Sequence, residues 1–392
     1  MRQPQTSVVL DRDSFERLKK TIKHMSVTHK QVHLNPTYST NLPVEVGLKL
    51  TNGCNLRCKH CFEWNAEGYH RDLGRAEQRE ELDFAVIEKV FRQTKETNAN
   101  MFLWGGEPLY YSRFNELADL LEQDPRWTVL CTNGIQIIEK LDSILKMSKS
   151  LVCLISLEGF EAENDAIRGK GTFKKVMAGI DKLLELEKEG IYQGKISIHL
   201  TISDVMIDKL YDFVEFFENK GIDSVYITFP WYLPDEVSSN MDRYFNEHFK
   251  WLADDLEEGH RNSWHSFKYR ISPGRIDSLL AQMERINQRT WNLRTRYQPA
   301  LELDEVRDFV LGSEKPAQNK TQCLSIRTRL DVLADGEVSA CKLFPEFSLG
   351  NLADQDLKDI WDGDNFERVR ETLQCGLMPV CSKCILLYLH GK

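Results

Sequence analysis

The chain has 392 residues, 41% of them hydrophobic and 28% charged, a balance typical of globular proteins and a length that as a prior suits two or three domains. A formal net charge of −9 argues against a protein that tracks a nucleic-acid backbone, which requires a basic face. The sequence has no apolar run of the roughly 18 residues a membrane helix needs, and its start, MRQPQTSVVLDRDSFERLKK, lacks a signal peptide's apolar centre; a cytoplasmic location is therefore expected, with the ten cysteines serving as ligands or small buried side chains rather than disulfides.

Residues 1–42 form an N-terminal extension without a motif. VEVGLKLT (44–51) predicts the first strand, and TNGCNLRCKHCFEW (51–64) follows it with Cys54, Cys58 and Cys61. A closed tetrahedral site takes four ligands and a disulfide takes two thiols. Three thiolates in one short loop suit a cubane iron–sulfur cluster whose fourth iron keeps an open position; a partial zinc site is the alternative, and His60 is a ligand by residue type only. LDFAVIEKVFRQTK (82–95) has helical spacing. NANMFLWG (98–105) predicts a second strand, closed by WGGEP with Gly105, Gly106, Glu107 and Pro108.

A third strand, WTVLCTNG (127–134), ends in Thr132, Asn133 and Gly134, and a fourth, SLVCLISLEG (150–159), ends in Ser156 to Gly159. Cys131 and Cys153 fall inside these strands as buried small side chains. FKKVMAGIDKLLELEKEG (173–190) repeats apolar residues at helical spacing and stops at a capping Gly190. KISIHLTIS (195–203) and SVYITFP (224–230) complete six strands, and Trp231 and Tyr232 follow the last. Strands alternating with helices predict a parallel α/β sheet. In such sheets functional residues gather at the carboxyl ends of strands, which puts the cysteine loop, WGGEP, the TNG turn and ISLEG on one rim.

Residues 236–315 change texture. MDRYFNEHFKWLADDLEE and RIDSLLAQMERINQRTWN predict a helical bridge, whose Tyr244, Phe245, Phe249, Trp251, Trp264, Phe267 and Tyr269 either pack internally or line a substrate groove. From 316 onward RLDVLADGEVSACKLF predicts a hairpin about Asp335–Gly336. Cys323, Cys341, Cys381 and Cys384 offer four thiolates for a closed site, but the first two are spaced too widely for a zinc ribbon. Cys375 is left over.

CxxxCxxC after the first strand and GGEP after the second resemble the radical S-adenosylmethionine (radical SAM) superfamily. The resemblance implies a partial (β/α)6 TIM-like barrel over 43–235 and a SAM-binding 4Fe–4S cluster on Cys54, Cys58 and Cys61. It places Glu107, set by Gly105 and Gly106, against the SAM amino group, Ser156 near the ribose and Arg168 at the carboxylate. Asn133 is expected near the cofactor. Glu158 stands where relatives carry aspartate, and His60 where they often carry an aromatic beside the adenine. The Gly336-x4-Cys341 spacing, LGNL (349–352), Ile360–Trp361 and the final CxxC resemble SPASM/twitch extensions. Full SPASM domains continue past that CxxC with further cysteines. The sequence stops at Lys392 without them, so a small α+β domain of the twitch type over 316–392 is expected, with one auxiliary 4Fe–4S cluster on Cys323, Cys341, Cys381 and Cys384.

For activity the resemblance implies reductive cleavage of SAM to a 5′-deoxyadenosyl radical, hydrogen abstraction, and oxidative modification of a peptide or protein side chain. The alternative is a radical dehydrogenase acting on a small molecule such as a sugar or aminocyclitol. A flavodoxin or ferredoxin would donate the electron, and neither nucleic acid nor membrane is an expected partner. No catalytic base is identifiable among the many carboxylates.

Overall fold

The computed structural model describes residues 4–255 and 261–392. A long helix, α1 (Arg12–Leu34), precedes the first strand, with the Asp11 side chain accepting from the Ser14 backbone N–H at its start. The six predicted strands form as β1 (Glu45–Lys49), β2 (Asn100–Trp104), β3 (Thr128–Thr132), β4 (Leu151–Ser156), β5 (Lys195–Thr201) and β6 (Ser224–Thr228). Each pairs in parallel with the next. The crossovers are helical: α2 (Phe84–Gln93), α3 (Phe114–Gln123), α4 (Leu141–Met147), α5 (Glu161–Arg168), α6 (Thr172–Lys188) and α7 (Leu210–Lys220). Gly190, with φ +74°, lies just past the α6 C-cap Glu189, as its position in the sequence predicts.

One face of the sheet packs under these helices. Leu48, Leu103, Leu130, Ile155, Ile198 and Ile227 are fully buried there, in one apolar cluster with Ile87, Leu117, Ile180 and Phe213 from the helices. Successive side chains alternate between faces, so the opposite face carries Lys49, Trp104, Ser156, His199, Tyr226 and Thr228.

The sheet continues beyond the six strands. Residues 236–315 do contain α8 (Asp235–His248), α9 (Ile276–Asn287) and α10 (Leu303–Val310), but also β7 (Arg294–Gln298), which pairs in parallel with β6. The predicted helical bridge is therefore corrected: it supplies a seventh parallel strand. Its inward residues are Arg294, Arg296 and Gln298, and only Thr295 and Tyr297 face the core, so RTRYQ carries little apolar signal. Residues 256–258, the end of the MDRYFNEHFKWLADDLEE run, lie outside the described residues.

The predicted hairpin is β8 (Arg329–Val332) and β9 (Glu337–Ser339), followed by β10 (Ser348–Asn351). β8 also pairs in parallel with β1, Leu48 opposite Val332. Among the described residues one ten-stranded sheet results, in the order β10-β9-β8-β1-β2-β3-β4-β5-β6-β7. The C-terminal segment is thus built onto the barrel wall through backbone hydrogen bonds rather than hung from a linker. It ends in α11 (Leu357–Trp361), α12 (Asp364–Cys375) and α13 (Ile385–His390). Among the described residues no helix is long and apolar enough to cross a membrane.

Candidate functional site

The cysteine loop leaves β1 and is stitched to the WGGEP turn. The Gly106 N–H donates to the Thr51 carbonyl (2.8 Å) and the Glu107 N–H to that of Gly53 (2.9 Å). A Cβ at Gly106 would stand 2.2 Å from the Gly53 carbonyl oxygen, and one at Gly105, where φ is +143°, 2.4 Å from that of Thr51. The glycine pair is what lets β2's end approach the loop. Inside the loop, the Leu56 N–H points at Cys54 Sγ (3.4 Å) and the Trp64 N–H at Cys61 Sγ (3.3 Å). Burial, then the Glu107 charge, pushes the Cys54 thiol up to about 12, and burial likewise raises Cys58 and Cys61. Without a metal these thiols hold their protons; a cluster would displace them.

Glu107 is buried at the same rim. One carboxylate oxygen accepts from the Thr132 hydroxyl (2.6 Å) and the Leu109 N–H (3.0 Å), the other from the Asn133 N–H (2.7 Å). Burial nonetheless raises its pKa. An ammonium group arriving beside it would restore the charged form. The Asn133 side chain reaches Asn55 of the cysteine loop (2.8 Å). Thr132, which orients Glu107, carried no signal in the sequence beyond its place at a strand end.

Glu158 gathers a second group of residues. Its carboxylate, fully buried, pairs with Arg168 (2.6 Å) and His60 (2.9 Å) and accepts from the Thr201 N–H (2.7 Å). Burial opposes ionisation, but the His60 and Arg168 charges hold the Glu158 carboxyl down at about 2. Arg168 in turn lies 3.8 Å from Cys58 Sγ. His60 thus stands 2.9 Å from the Glu158 carboxylate and edge-on to Tyr269. The glutamate that departs from the family's aspartate is the hub that positions Arg168. Ser156 ends β4 directly opposite His199 of β5.

The four C-terminal thiols converge. Cys323, Cys341, Cys381 and Cys384 line one cavity together with Phe344, Leu373 and Leu387. Cys375, at the end of α12, is exposed and lies outside that cavity. Beside Cys341, the Lys342 ammonium sits 3.9 Å from the Phe102 ring centre and 5.1 Å from that of Trp104. One side chain therefore spans from the thiol cavity to the barrel's inner wall.

The aromatic stretch mostly packs. Phe245, Phe249, Trp264 and Phe267 are buried and meet Phe344 and Phe347, fastening the C-terminal segment to the barrel, and Tyr244 and Trp251 pack against the same core. Trp231 leans on Phe62 of the cysteine loop (5.8 Å) and Tyr232 takes the Arg270 guanidinium. Of the aromatic stretch, Phe267 stacks on Phe62 of the cysteine loop (4.5 Å) and Tyr269 stands edge-on to His60 of the same loop. Cys153 is fully buried, as expected, whereas Cys131 is only partly covered and lies under the influence of Lys342.

Residues 48–214 match the family model described as the radical SAM superfamily, and residues 323–385 the iron–sulfur cluster-binding domain called SPASM. The mycofactocin maturase MftC of Mycolicibacterium smegmatis is 31% identical over 172 residues, 44% of this chain and 41% of that protein. Pre-heme d1 synthase of Dinoroseobacter shibae is 30% identical over 182 residues, 46% of this chain and 41% of that protein. The sporulation killing factor maturation protein SkfB of Bacillus subtilis is 27% identical over 191 residues, 48% of this chain and 43% of that protein. The chain thus spans 41–43% of the length of these curated relatives. The crystal structure of Streptococcus suis SuiB bound to S-adenosylmethionine superposes with a TM-score of 0.57 at 18% identity, covering 93% of this chain and 75% of SuiB. At that identity the likeness is one of fold.

Proposed function

We propose that this chain, which carries a radical SAM domain and a SPASM domain, is an enzyme that oxidatively modifies a side chain of a peptide or protein. The observation that supports the oxidative reading most is the shared wall. Lys342 adjoins Cys341 of the C-terminal thiol cavity and rests on Phe102 and Trp104 inside the barrel. Bound at the rim and in that cavity, SAM and the two clusters would supply a 5′-deoxyadenosyl radical at one end of the barrel and an electron acceptor at its side. The chain's own residues prepare the rest. Cys54, Cys58 and Cys61 would hold the first cluster, and Glu107, fixed by Thr132 and Asn133, would receive the SAM ammonium. Arg168, held by Glu158 (2.6 Å), would receive the SAM carboxylate, and the Ser156 hydroxyl would serve the ribose. Cys323, Cys341, Cys381 and Cys384 would hold the auxiliary cluster.

A peptide substrate is favoured by the company the chain keeps. Two curated relatives are maturation proteins by name, and SuiB has been crystallised with its precursor peptide SuiA. The test is anaerobic turnover with SAM, a reductant and short peptides encoded beside the gene. The expected result is 5′-deoxyadenosine together with a peptide lighter by two hydrogen atoms or cross-linked. Release of 5′-deoxyadenosine with oxidation of a sugar or aminocyclitol, and no altered peptide, would overturn the proposal in favour of a small-molecule dehydrogenase.

A further inference from the structure

The seventh strand carries charges that the rim chemistry leaves unused. β7 runs beside β6 with Arg296 opposite Tyr226 and Gln298 opposite Thr228. Thr295 and Tyr297 are buried in the core, so alternation sends Arg294, Arg296 and Gln298 to the barrel interior. The top of this ladder is already engaged: the Thr228 hydroxyl lies 2.9 Å from His199 Nε2 and 3.3 Å from Gln298 Oε1. Below it, Arg294 and Tyr226 border a cavity of about 790 Å³ between α1 and the starting ends of the strands.

Among the described residues neither guanidinium has a carboxylate within ion-pair reach or a hydrogen-bond partner for its side chain. The three carboxylates bordering the cavity are committed elsewhere. Asp11 caps α1 through the Ser14 N–H, Glu45 pairs with Arg329, and Asp223 pairs with Lys195 (3.1 Å) and accepts from the Ile196 N–H (2.8 Å). Lys20 of α1 borders the same space. A chain of net charge −9 has thus placed two half-buried arginines side by side with no counter-charge. Burial and the Arg294 charge together lower the Arg296 pKa. Charged side chains drawn partly out of water are usually paired.

We infer that Arg294 and Arg296 form a carboxylate-binding subsite in the lower barrel that takes an acidic side chain or the C-terminal carboxylate of the peptide substrate. The inference rests on the peptide reading for what carries the carboxylate and on β7 for the charge. A single guanidinium matches a carboxylate through two parallel N–H donors, and the second adds charge beside it. Arg296 lies two residues below Gln298, about 7 Å along the strand. An extended peptide covers that distance in two residues, so the anchored carboxylate would sit about two positions from the residue presented at the His199 level.

Fluorescence anisotropy on the reconstituted, SAM-bound enzyme tests this with three pools of labelled random hexapeptides. One pool contains a fixed Asp or Glu with an amidated C-terminus, one has Asn or Gln there with an amidated C-terminus, and one is neutral with a free C-terminus. The expected result is about tenfold tighter binding of one carboxylate-bearing pool over the neutral amidated pool, about 1.4 kcal/mol. Which of the two wins identifies the source of the carboxylate. The preference should vanish in Arg294→Gln/Arg296→Gln and survive in part in Arg296→Lys, which keeps the charge but not the fork; far-UV circular dichroism verifies that each variant folds. Equal binding of all pools, absent binding included, or a preference that persists in the double variant overturns the inference. If acidic peptides bind selectively but none is ever modified, the subsite stands and the peptide-modification reading falls.

Discussion

Replacing Gly106 with alanine tests how the rim is built. The added Cβ would stand 2.2 Å from the Gly53 carbonyl oxygen and 2.5 Å from that of Asn52, both backbone atoms that cannot swing aside. Reaching an ordinary contact means opening the gap by about 1 Å, with overpacking of this kind costing about 1–3 kcal/mol. The shift strains the Gly106–Thr51 and Glu107–Gly53 hydrogen bonds, each worth about 0.5–1.5 kcal/mol. The total, about 2–6 kcal/mol, is within reach of a domain's whole stability of about 5–15 kcal/mol. It falls on the segment carrying Cys54, Cys58 and Cys61. Gly274→Ala is the control, because a Cβ there meets nothing within 4 Å. Urea denaturation, iron content and SAM binding by equilibrium dialysis should all fall for Gly106→Ala, with about half the iron lost, and stay unchanged for Gly274→Ala. A Gly106→Ala protein with full iron and full SAM affinity would refute the reasoning.

Glu158→Ala leaves Arg168, His60 and the Thr201 N–H without their partner, and breaking a buried pair this way costs about 3–5 kcal/mol; an unfolding free energy from urea titration within about 1 kcal/mol of wild type (about fivefold in the equilibrium constant) would contradict the hub assignment. Acid should weaken the fold in two stages. His199, brought down to about 4 from 6.5 by burial, binds its proton more readily in the unfolded chain, so stability is lost as the pH falls from 6.5 to 4. Glu158, brought down to about 2 from 4.5, adds a loss that begins below pH 4.5. His199→Gln should flatten the urea midpoint between pH 6.5 and 4, and an unaltered slope would refute the assignment. Cys375, exposed and outside the thiol cavity, should be replaceable by serine with no change in iron or sulfide.

Much of the rim was legible because its signals are local. Six apolar runs mark six strands, and the glycines of WGGEP and TNG mark where they stop, so the sequence alone sets Cys54, Glu107, Asn133 and Ser156 on one edge. What escaped depends on contacts far apart in sequence. β7 went unseen because Arg294, Arg296 and Gln298 alternate with Thr295 and Tyr297, which erases the apolar alternation a strand normally shows. Glu158 looked like a simple departure from aspartate, yet its partners come from the cysteine loop, α5 and β5, which no single window contains. The buried aromatics of 245–267 illustrate the converse: their helical spacing allows either internal packing or a substrate groove, and contacts with Phe344 and Phe347, far onward in the chain, decide for packing.

The account stands or falls on two separate thiol sites serving one barrel. Iron, sulfide and zinc counted on protein reconstituted without oxygen, for the wild type and for two cysteine variants, tests that most directly. The prediction is about eight irons per chain with matching sulfide. Cys54→Ala/Cys58→Ala/Cys61→Ala and Cys381→Ala/Cys384→Ala should each remove about half. Zinc in the C-terminal cavity, or iron that the C-terminal variant leaves untouched, would contradict the auxiliary cluster and with it the electron acceptor on the barrel wall.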